Sequence, residues 1–160
     1  MDKLYLDTCI ISGIAKSDIS DLELNTLTDL LKDFRLNKVD MVTSQIAKQE
    51  IEKIPEQYRF QHSETYKTLT EIPLSSSTFS PFSGPFGGPF DRNRLPVKEL
   101  KELQSLLKDK DDAKHIYQAF RNKVNYFLTV DASTILNRAK EIFEICGVSV
   151  MLPSEYNSRR

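Results

Sequence analysis

Residues 4–11 read Leu-Tyr-Leu-Asp-Thr-Cys-Ile-Ile, an apolar run interrupted by one carboxylate, that of Asp7. Such a run predicts a buried strand, with Asp7 near its C-terminal end. A carboxylate is rarely placed in a core unless it is paired or bound to a metal ion. In an open α/β sheet, ligands bind at the C-terminal ends of the strands. Asp7 is therefore the first candidate residue of an acidic, metal-binding site.

The composition is that of an ordinary globular chain. Its 160 residues are most simply one domain, and the formal net charge of −1 gives no global basic field, although a local patch would be invisible in that sum. The N-terminus lacks a long apolar segment and no apolar run reaches membrane-spanning length, so we expect no signal peptide and no transmembrane helix. Cys9 and Cys146 stand in apolar contexts, which favours buried thiols, a reducing compartment and a cytoplasmic protein.

Strand and helix patterns alternate along the rest of the chain. The predicted elements are a helix opened by the capping box Ser20–Glu23, a β-prone stretch at 39–43, a helix from Gln45 capped by Ser44, a helix at 96–107, a helix opened by Asp111 and Asp112, a strand at 126–130, a helix ending at Cys146-Gly147 and a strand at 148–152. This alternation predicts an α/β fold with a parallel sheet covered on both faces.

A Ser/Gly/Pro/Phe-rich segment at about 73–95 interrupts the pattern and contains Pro-Phe three times. Its prolines and glycines exclude a regular helix, and a loop of this length is usually either functional or disordered. Three alternatives stay open: its phenylalanines stack on unpaired bases beside Arg92, Arg94 and Lys98, or they contact protein, or the segment is flexible. We therefore predict one domain at 1–153 with this insertion, and a tail at 154–160.

Four carboxylates are candidates for one site. Asp131 closes the 126–130 strand, so it should share a sheet edge with Asp7. Glu50 lies in the second turn of a helix that starts at that edge, and Asp112 lies in the first turn of its own helix. Converging carboxylates raise one another's pKa values unless a cation is present, and a hard divalent ion removes that conflict. The alternatives are a solvated side chain for Glu50 and helix capping for Asp112 and Asp131.

Four sequence blocks resemble the signature blocks of PIN domains in order and spacing. They are Leu4-Tyr5-Leu6-Asp7-Thr8, Glu50 after Thr43-Ser44, Asp112-Ala113-Lys114-His115-Ile116, and Tyr126-Phe127-Leu128-Thr129-Val130-Asp131. The last two blocks are the most specific. The segment at about 73–95 is not part of the usual PIN pattern.

The resemblance implies a three-layer α/β/α sandwich with a central parallel sheet and an endoribonuclease that depends on Mg²⁺ or Mn²⁺. It places the catalytic and metal-binding acids on Asp7, Glu50, Asp112 and Asp131, with Thr8 and Thr129 orienting water or supporting those acids and with Asp111 as a neighbouring acid. Many small PIN proteins are VapC-like toxins of type II toxin–antitoxin pairs, which implies an RNA substrate, an antitoxin partner and a homodimer.

Other functions remain as alternatives. A PIN-like binding module with weak catalysis would act through the Phe-rich segment. An aspartyl-phosphate phosphatase would also begin with a strand ending in Asp, but it normally needs a second acid where Cys9 stands. A nucleophilic Cys9 lacks an identifiable histidine nearby. His115 is either a hydrogen-bonded structural residue or a participant in the site, and His62 shows no functional signal.

Overall fold

The computed structural model describes residues 1–69 and 98–160, without the side chains of Gln45, Lys48 and residues 64–69. The Phe-rich insertion predicted at about 73–95 lies outside this part of the chain. The described residues form an α/β fold with one parallel sheet in the order β2-β1-β3-β4. Its strands are β1 (Asp2–Leu6), β2 (Val39–Val42), β3 (Tyr126–Leu128) and β4 (Ser149–Met151). The prediction of an α/β fold with a parallel sheet is thus confirmed.

Helices connect these strands. They are α1 (Thr8–Lys16), α2 (Asp21–Arg35), α3 (Gln45–Lys53), α4 (Glu56–Leu69), α5 (Lys98–Leu106), α6 (Lys110–Arg121), α7 (Ala139–Cys146) and α8 (Pro153–Ser158), with a 3₁₀ turn at Leu136–Arg138. Gly147 ends α7 with φ 73°, a left-handed conformation that glycine adopts at low cost. No helix within 1–69 and 98–160 combines the length and the apolar character needed to cross a lipid bilayer.

Two hydrophobic layers cover the sheet, one on each face. On one face Leu4, Leu6 and Leu128 pack with the apolar sides of α1, α2, α3 and α8. On the other face Tyr5, Phe127 and Val150 pack with α5, α6 and α7. Alternate residues of one strand enter opposite layers because side chains alternate across a strand. The near-continuous apolar sequence of each strand follows from this double burial.

The sheet order creates a switch point between β1 and β3. The chain leaves β1 to form β2 on one side, then returns across β1 to place β3 on the other side. The register pairs Leu4 with Met41 of β2 and with Tyr126 of β3. In open parallel sheets, the crevice at such a switch point, beyond the carboxyl ends of the strands, is where ligands bind.

The first strand is shorter than the apolar run predicts. It ends at Leu6, and the Oδ1 atom of Asp7 accepts the Thr8 N–H at 2.8 Å, so Asp7 caps α1. Ile10 and Ile11 are fully buried on that helix instead of continuing the strand. A short apolar run is compatible with a strand and with a buried helix. Here the Asp7 carboxylate caps a helix, so the second half of the run is helical.

The C-terminal residues differ from the predicted tail at 154–160. Most of them lie in α8, whose Tyr156 is 2% exposed and donates a hydrogen bond to Asp2 at 3.0 Å. The Arg160 guanidinium pairs with Asp33 at 2.7 Å. These residues are ordered in a helix because Tyr156 is part of the core layer that contains Leu4 and Leu6. The local sequence around Tyr156 does not indicate this packing.

The capping box predicted at the start of α2 is half formed. Ser20 accepts the Glu23 N–H at 3.4 Å, as predicted. The Glu23 carboxylate, however, reaches α8, where it accepts the Ser154 N–H at 2.9 Å and the Ser154 hydroxyl. This contact joins the second helix to the last one.

Candidate functional site

Asp7 lies at the switch point between β1 and β3. Its N–H donates to the Leu128 carbonyl at 3.1 Å, and its Oδ2 atom accepts the Thr129 hydroxyl at 2.7 Å. The side chain is only 4% exposed. The carboxylate is therefore fixed by both central strands at the edge where the sequence predicts the site.

Cys9 is a free thiol that supports Asp7. Its Sγ donates to Asp7 Oδ2 at 2.9 Å, lies 3.0 Å from Thr129 Oγ1 and accepts the Val130 N–H at 3.3 Å. Burial raises the pKa of the Cys9 thiol, and the Asp7 charge raises it further. Because the thiolate is the reactive form, this environment disfavours a nucleophilic Cys9.

Asp131 follows β3 and is held by its own turn. Its Oδ1 accepts the N–H groups of Ser133 and Thr134 at 2.9 and 3.0 Å, and the Ser133 hydroxyl at 2.7 Å. Burial raises the pKa of Asp131, but these hydrogen bonds and that of the Thr134 hydroxyl outweigh it, so the pKa is lowered. Asp131 is thus ionised at neutral pH.

Asp112, in the first turn of α6, meets Asp131 through Thr134. The Thr134 hydroxyl bonds to Asp131 Oδ2 and lies 3.3 Å from Asp112 Oδ2. Burial raises the pKa of Asp112 to about 6, and the charges of Asp109, Asp7 and Asp131 add to that rise. One hydroxyl proton cannot serve two carboxylates at once, which favours either a proton on Asp112 or a cation between the acids.

Helix capping does not explain Asp112. The N-cap of α6 is Asp109, whose Oδ1 accepts the Asp111 N–H at 2.8 Å. The first turn of α6 faces the carboxyl edge of the sheet, an orientation that the sequence pattern left open.

Glu50 lies at the side of this cluster. Its Oε2 atom is 3.3 Å from His115 Nε2, and its side chain is 27% exposed. Burial raises the pKa of Glu50, but the hydrogen bonds of His115 and Thr8 and the His115 charge outweigh it, so the pKa is lowered. The described contacts of Glu50 run to α1 and α6, which sets it apart from the three aspartates linked by hydroxyl groups.

His115 is a buried, hydrogen-bonded residue that orients Glu50. It is 2% exposed, and its Nδ1 lies 2.7 Å from the Tyr5 hydroxyl. Its Nε2 faces Glu50 and lies 3.4 Å from Thr8 Oγ1. Burial lowers the pKa of His115, but the surrounding carboxylates, with Glu50 first among them, raise it by more. Both ring nitrogens are occupied, in agreement with the structural alternative.

Asp111 contacts a lysine, whereas its neighbour Asp112 contacts the Thr134 hydroxyl. Its Oδ1 is 2.6 Å from Lys114 Nζ, and this hydrogen bond lowers the pKa of Asp111, with the charges of Lys114 and Lys53 adding to the effect. Asp111 is therefore part of a charged rim beside Glu50.

The donor chemistry of the cluster suits a hard divalent cation. Within residues 1–69 and 98–160, no group of three or more His, Cys, Asp and Glu side chains is arranged to hold a metal ion by itself. Mg²⁺ needs only one or two carboxylates, since water and substrate phosphate complete its octahedron. The carboxylate oxygens of Asp7, Asp112 and Asp131 fit that requirement.

Sequence reasoning missed two supporting residues. Thr134 could have been found, because a hydroxyl residue three positions after an Asp commonly forms an Asx-type turn. His62 had no local signal: it is 2% exposed, its Nδ1 bonds to the Tyr58 carbonyl, and its Nε2 lies 3.3 Å from Ser12 Oγ on α1. It ties α4 to the helix that follows Asp7.

Comparison with known proteins gave no match among family models, curated proteins or solved structures. The functional argument therefore depends on the geometry of the acidic cluster.

Proposed function

We propose that the chain is a PIN-like endoribonuclease that hydrolyses RNA phosphodiester bonds with Mg²⁺ or Mn²⁺. One observation carries the proposal: the Thr134 hydroxyl bonds to both Asp112 and Asp131, and the Thr129 hydroxyl accepts the Asp131 N–H and donates to Asp7 at the switch point. The raised pKa of Asp112, about 6, supports it, because the charges of Asp7 and Asp131 contribute to the rise. Strongly perturbed carboxyl groups in a cleft are typical of functional sites.

One or two of these aspartates would hold the ion, with water and substrate phosphate as its other ligands, and Glu50 would be the fourth acid of the site. When bound, the ion supplies an activated water and stabilises the leaving oxygen of the phosphodiester. The protein's own contribution is positioning. Thr129 and Cys9 fix the Asp7 carboxylate, and Thr134 holds the Asp131 and Asp112 carboxylates together.

The fold supports the proposal in its coarse features. The parallel sheet has helices on both faces, which is compatible with the α/β/α sandwich of PIN domains. The toxin role, the antitoxin partner and the homodimer stay predictions from the resemblance. The binding-module alternative also stays a prediction, since it depends on the Phe-rich segment outside the described residues.

The test is cleavage of labelled, unstructured RNA by the purified protein with Mg²⁺ or Mn²⁺, and with EDTA. Asp7→Asn and Asp112→Asn should each lower the rate by more than the roughly 10–100-fold that is typical for residues that only support metal ligands. Asp29→Asn is the matched control, because Asp29 is an exposed carboxylate on α2.

Thermal unfolding of every variant shows whether a lost activity reflects a lost fold. Metal-independent cleavage, or equal cleavage by the Asp7→Asn protein, would overturn the proposal.

A further inference from the structure

Two lysines lie on α3 and α6, the helices that the contact between Glu50 and His115 brings together. Glu50 and Lys53 are three residues apart on α3, and Asp111 and His115 are four residues apart on α6, so each pair shares a helix face. The 3.3 Å contact between Glu50 and His115 brings the two faces together. Lys53 and Asp111 therefore lie one turn away from that contact, on neighbouring helices.

Lys114 completes the group. Its ammonium is 2.6 Å from Asp111 Oδ1, with 34% of the side chain exposed. Lys53 is exposed, and its charge reaches Asp111, where it helps to lower the pKa of that carboxyl. Two ammonium groups thus stand beside two carboxylates, those of Asp111 and Glu50, at the border of the acidic cluster. An ammonium has three donors, so Lys114 keeps two for another acceptor.

We infer that Lys53 and Lys114 bind the phosphate backbone of the RNA strand beside the acidic cluster, on its Glu50 side. The inference deepens the proposed function and rests on it. A strand that presents one phosphodiester to the aspartates must place adjacent phosphates along the edge of the cleft. Lysine ammonium groups bind phosphate as point charges, and Asp111 holds the Lys114 ammonium in place for this contact.

The composition of the rim favours nucleic acid over a protein partner. The centres of protein interfaces are enriched in aromatic residues and depleted in lysine and acidic residues. This rim has the opposite composition, because it consists of two lysines and an acid: Lys53, Lys114 and Asp111. Electrostatic backbone contacts of this kind dominate nucleic-acid affinity and make it dependent on salt.

The experiment measures binding without cleavage. Fluorescence anisotropy follows an unstructured, labelled oligoribonucleotide in EDTA over a series of salt concentrations, with all variants built on the Asp7→Asn protein. Lys53→Gln combined with Lys114→Gln should weaken binding about tenfold and flatten the slope of log K against log salt by roughly 0.7 per lysine.

The chain offers a matched control. Lys32 on α2 also pairs with an aspartate three residues earlier, Asp29, at 2.8 Å. Lys32→Gln removes the same charge from a similar ion pair, and it should leave both the affinity and the slope unchanged.

Three outcomes would overturn the inference. The slope of log K against log salt could be unchanged in the Lys53→Gln, Lys114→Gln variant, or Lys32→Gln could weaken RNA binding equally. The two lysines could also prove necessary for binding polyglutamate, an acidic protein-like ligand, and unnecessary for binding RNA. The binding experiment involves no metal ion and no cleavage, so its outcome is independent of the outcome of the nuclease test. Lysine-dependent RNA binding by a chain that never cleaves RNA would reject the proposed catalysis alone.

Discussion

Asp112 destabilises the folded chain when it ionises. Its folded-state pKa is raised to about 6 by burial first and by the charges of Asp109, Asp7 and Asp131. An unfolded aspartate has a pKa of about 3.9, so the raised value means that protons bind the folded state more tightly. The protonated Asp112 carboxyl therefore adds to the free energy of unfolding. This contribution is fully present below about pH 4 and is lost as the pH rises through about 6.

Asp112→Asn should therefore stabilise the metal-free protein at neutral pH. The gain expected near pH 7.5 is on the order of 1–2 kcal/mol, after a discount for the partial exposure of the group. It should shrink to nothing near pH 4, where the wild-type carboxyl is protonated. Urea unfolding in EDTA across this pH range measures the difference.

Asp29→Asn serves as the reference here, because Asp29 is an exposed residue of a surface ion pair. An Asp112→Asn protein that is no more stable than wild type at pH 7.5 would contradict the argument. Under the proposed function, saturating Mg²⁺ should reverse the order of stability, since a ligand stabilises the state that binds it.

At the scale of elements, α8 is held to α2 by a buried acid. Glu23 is 6% exposed and accepts both the Ser154 N–H and the Ser154 hydroxyl. Tyr156, two residues later, lies beneath the sheet with 2% exposure. The contact therefore fixes the position of a residue that fills the core.

Glu23→Ala should destabilise the protein by about 1–3 kcal/mol, the usual cost of leaving a buried donor without its acceptor. Equilibrium unfolding in urea measures it. Glu144→Ala is the matched control, because Glu144 is 63% exposed and its ion pair with Lys140 is long, at 4.0 Å. The control should change stability by no more than about 0.5 kcal/mol. An equal effect of both substitutions would remove the argument for this contact.

The sequence predicted most elements because their signals are local. Ser44 caps α3, Asp7 and Asp131 follow strands, and Gly147 ends α7, as the pattern indicated. The same local rules place Asp7 and Asp131 at one edge of the sheet. Capping and periodicity act over a few residues, so a single sequence is enough to reveal them.

What the sequence could not show depends on partners far along the chain. Glu23 and Ser154 are separated by 131 positions, and Ser12 and His62 by 50. The orientation of α6, which decides where Asp112 lies, follows from packing against the sheet. Tertiary contacts of this kind override local preference and leave no periodic trace.

At the scale of the whole molecule, the two central strands are joined by aromatic packing within one core layer. Tyr5 and Phe127 stack with ring centroids 4.9 Å apart and planes at 11°, and both side chains are fully buried. The Tyr5 hydroxyl forms a hydrogen bond with His115 Nδ1. The aromatic pair therefore connects the core to the residue that orients Glu50.

Phe127→Ala should cost about 3–5 kcal/mol, the range for deleting a buried phenylalanine. Phe143→Ala removes the same ring from a position that is 54% exposed on α7, and should cost well under about 1 kcal/mol. Thermal and urea unfolding of the two variants give the comparison. A Phe127→Ala protein as stable as the Phe143→Ala protein would mean that the layer repacks around the gap.

The position of β1 between β2 and β3 also sets when the acidic edge can exist during translation. A ribosome makes a chain from its N-terminus, so Asp7 emerges well before β3. Its partner Thr129 is 122 positions later, and Asp131 follows it. A nascent or prematurely terminated chain thus contains the first acids without the strand that fixes them. The cleavage proposed for this edge therefore requires that residues 126–131 have been made and have paired with β1.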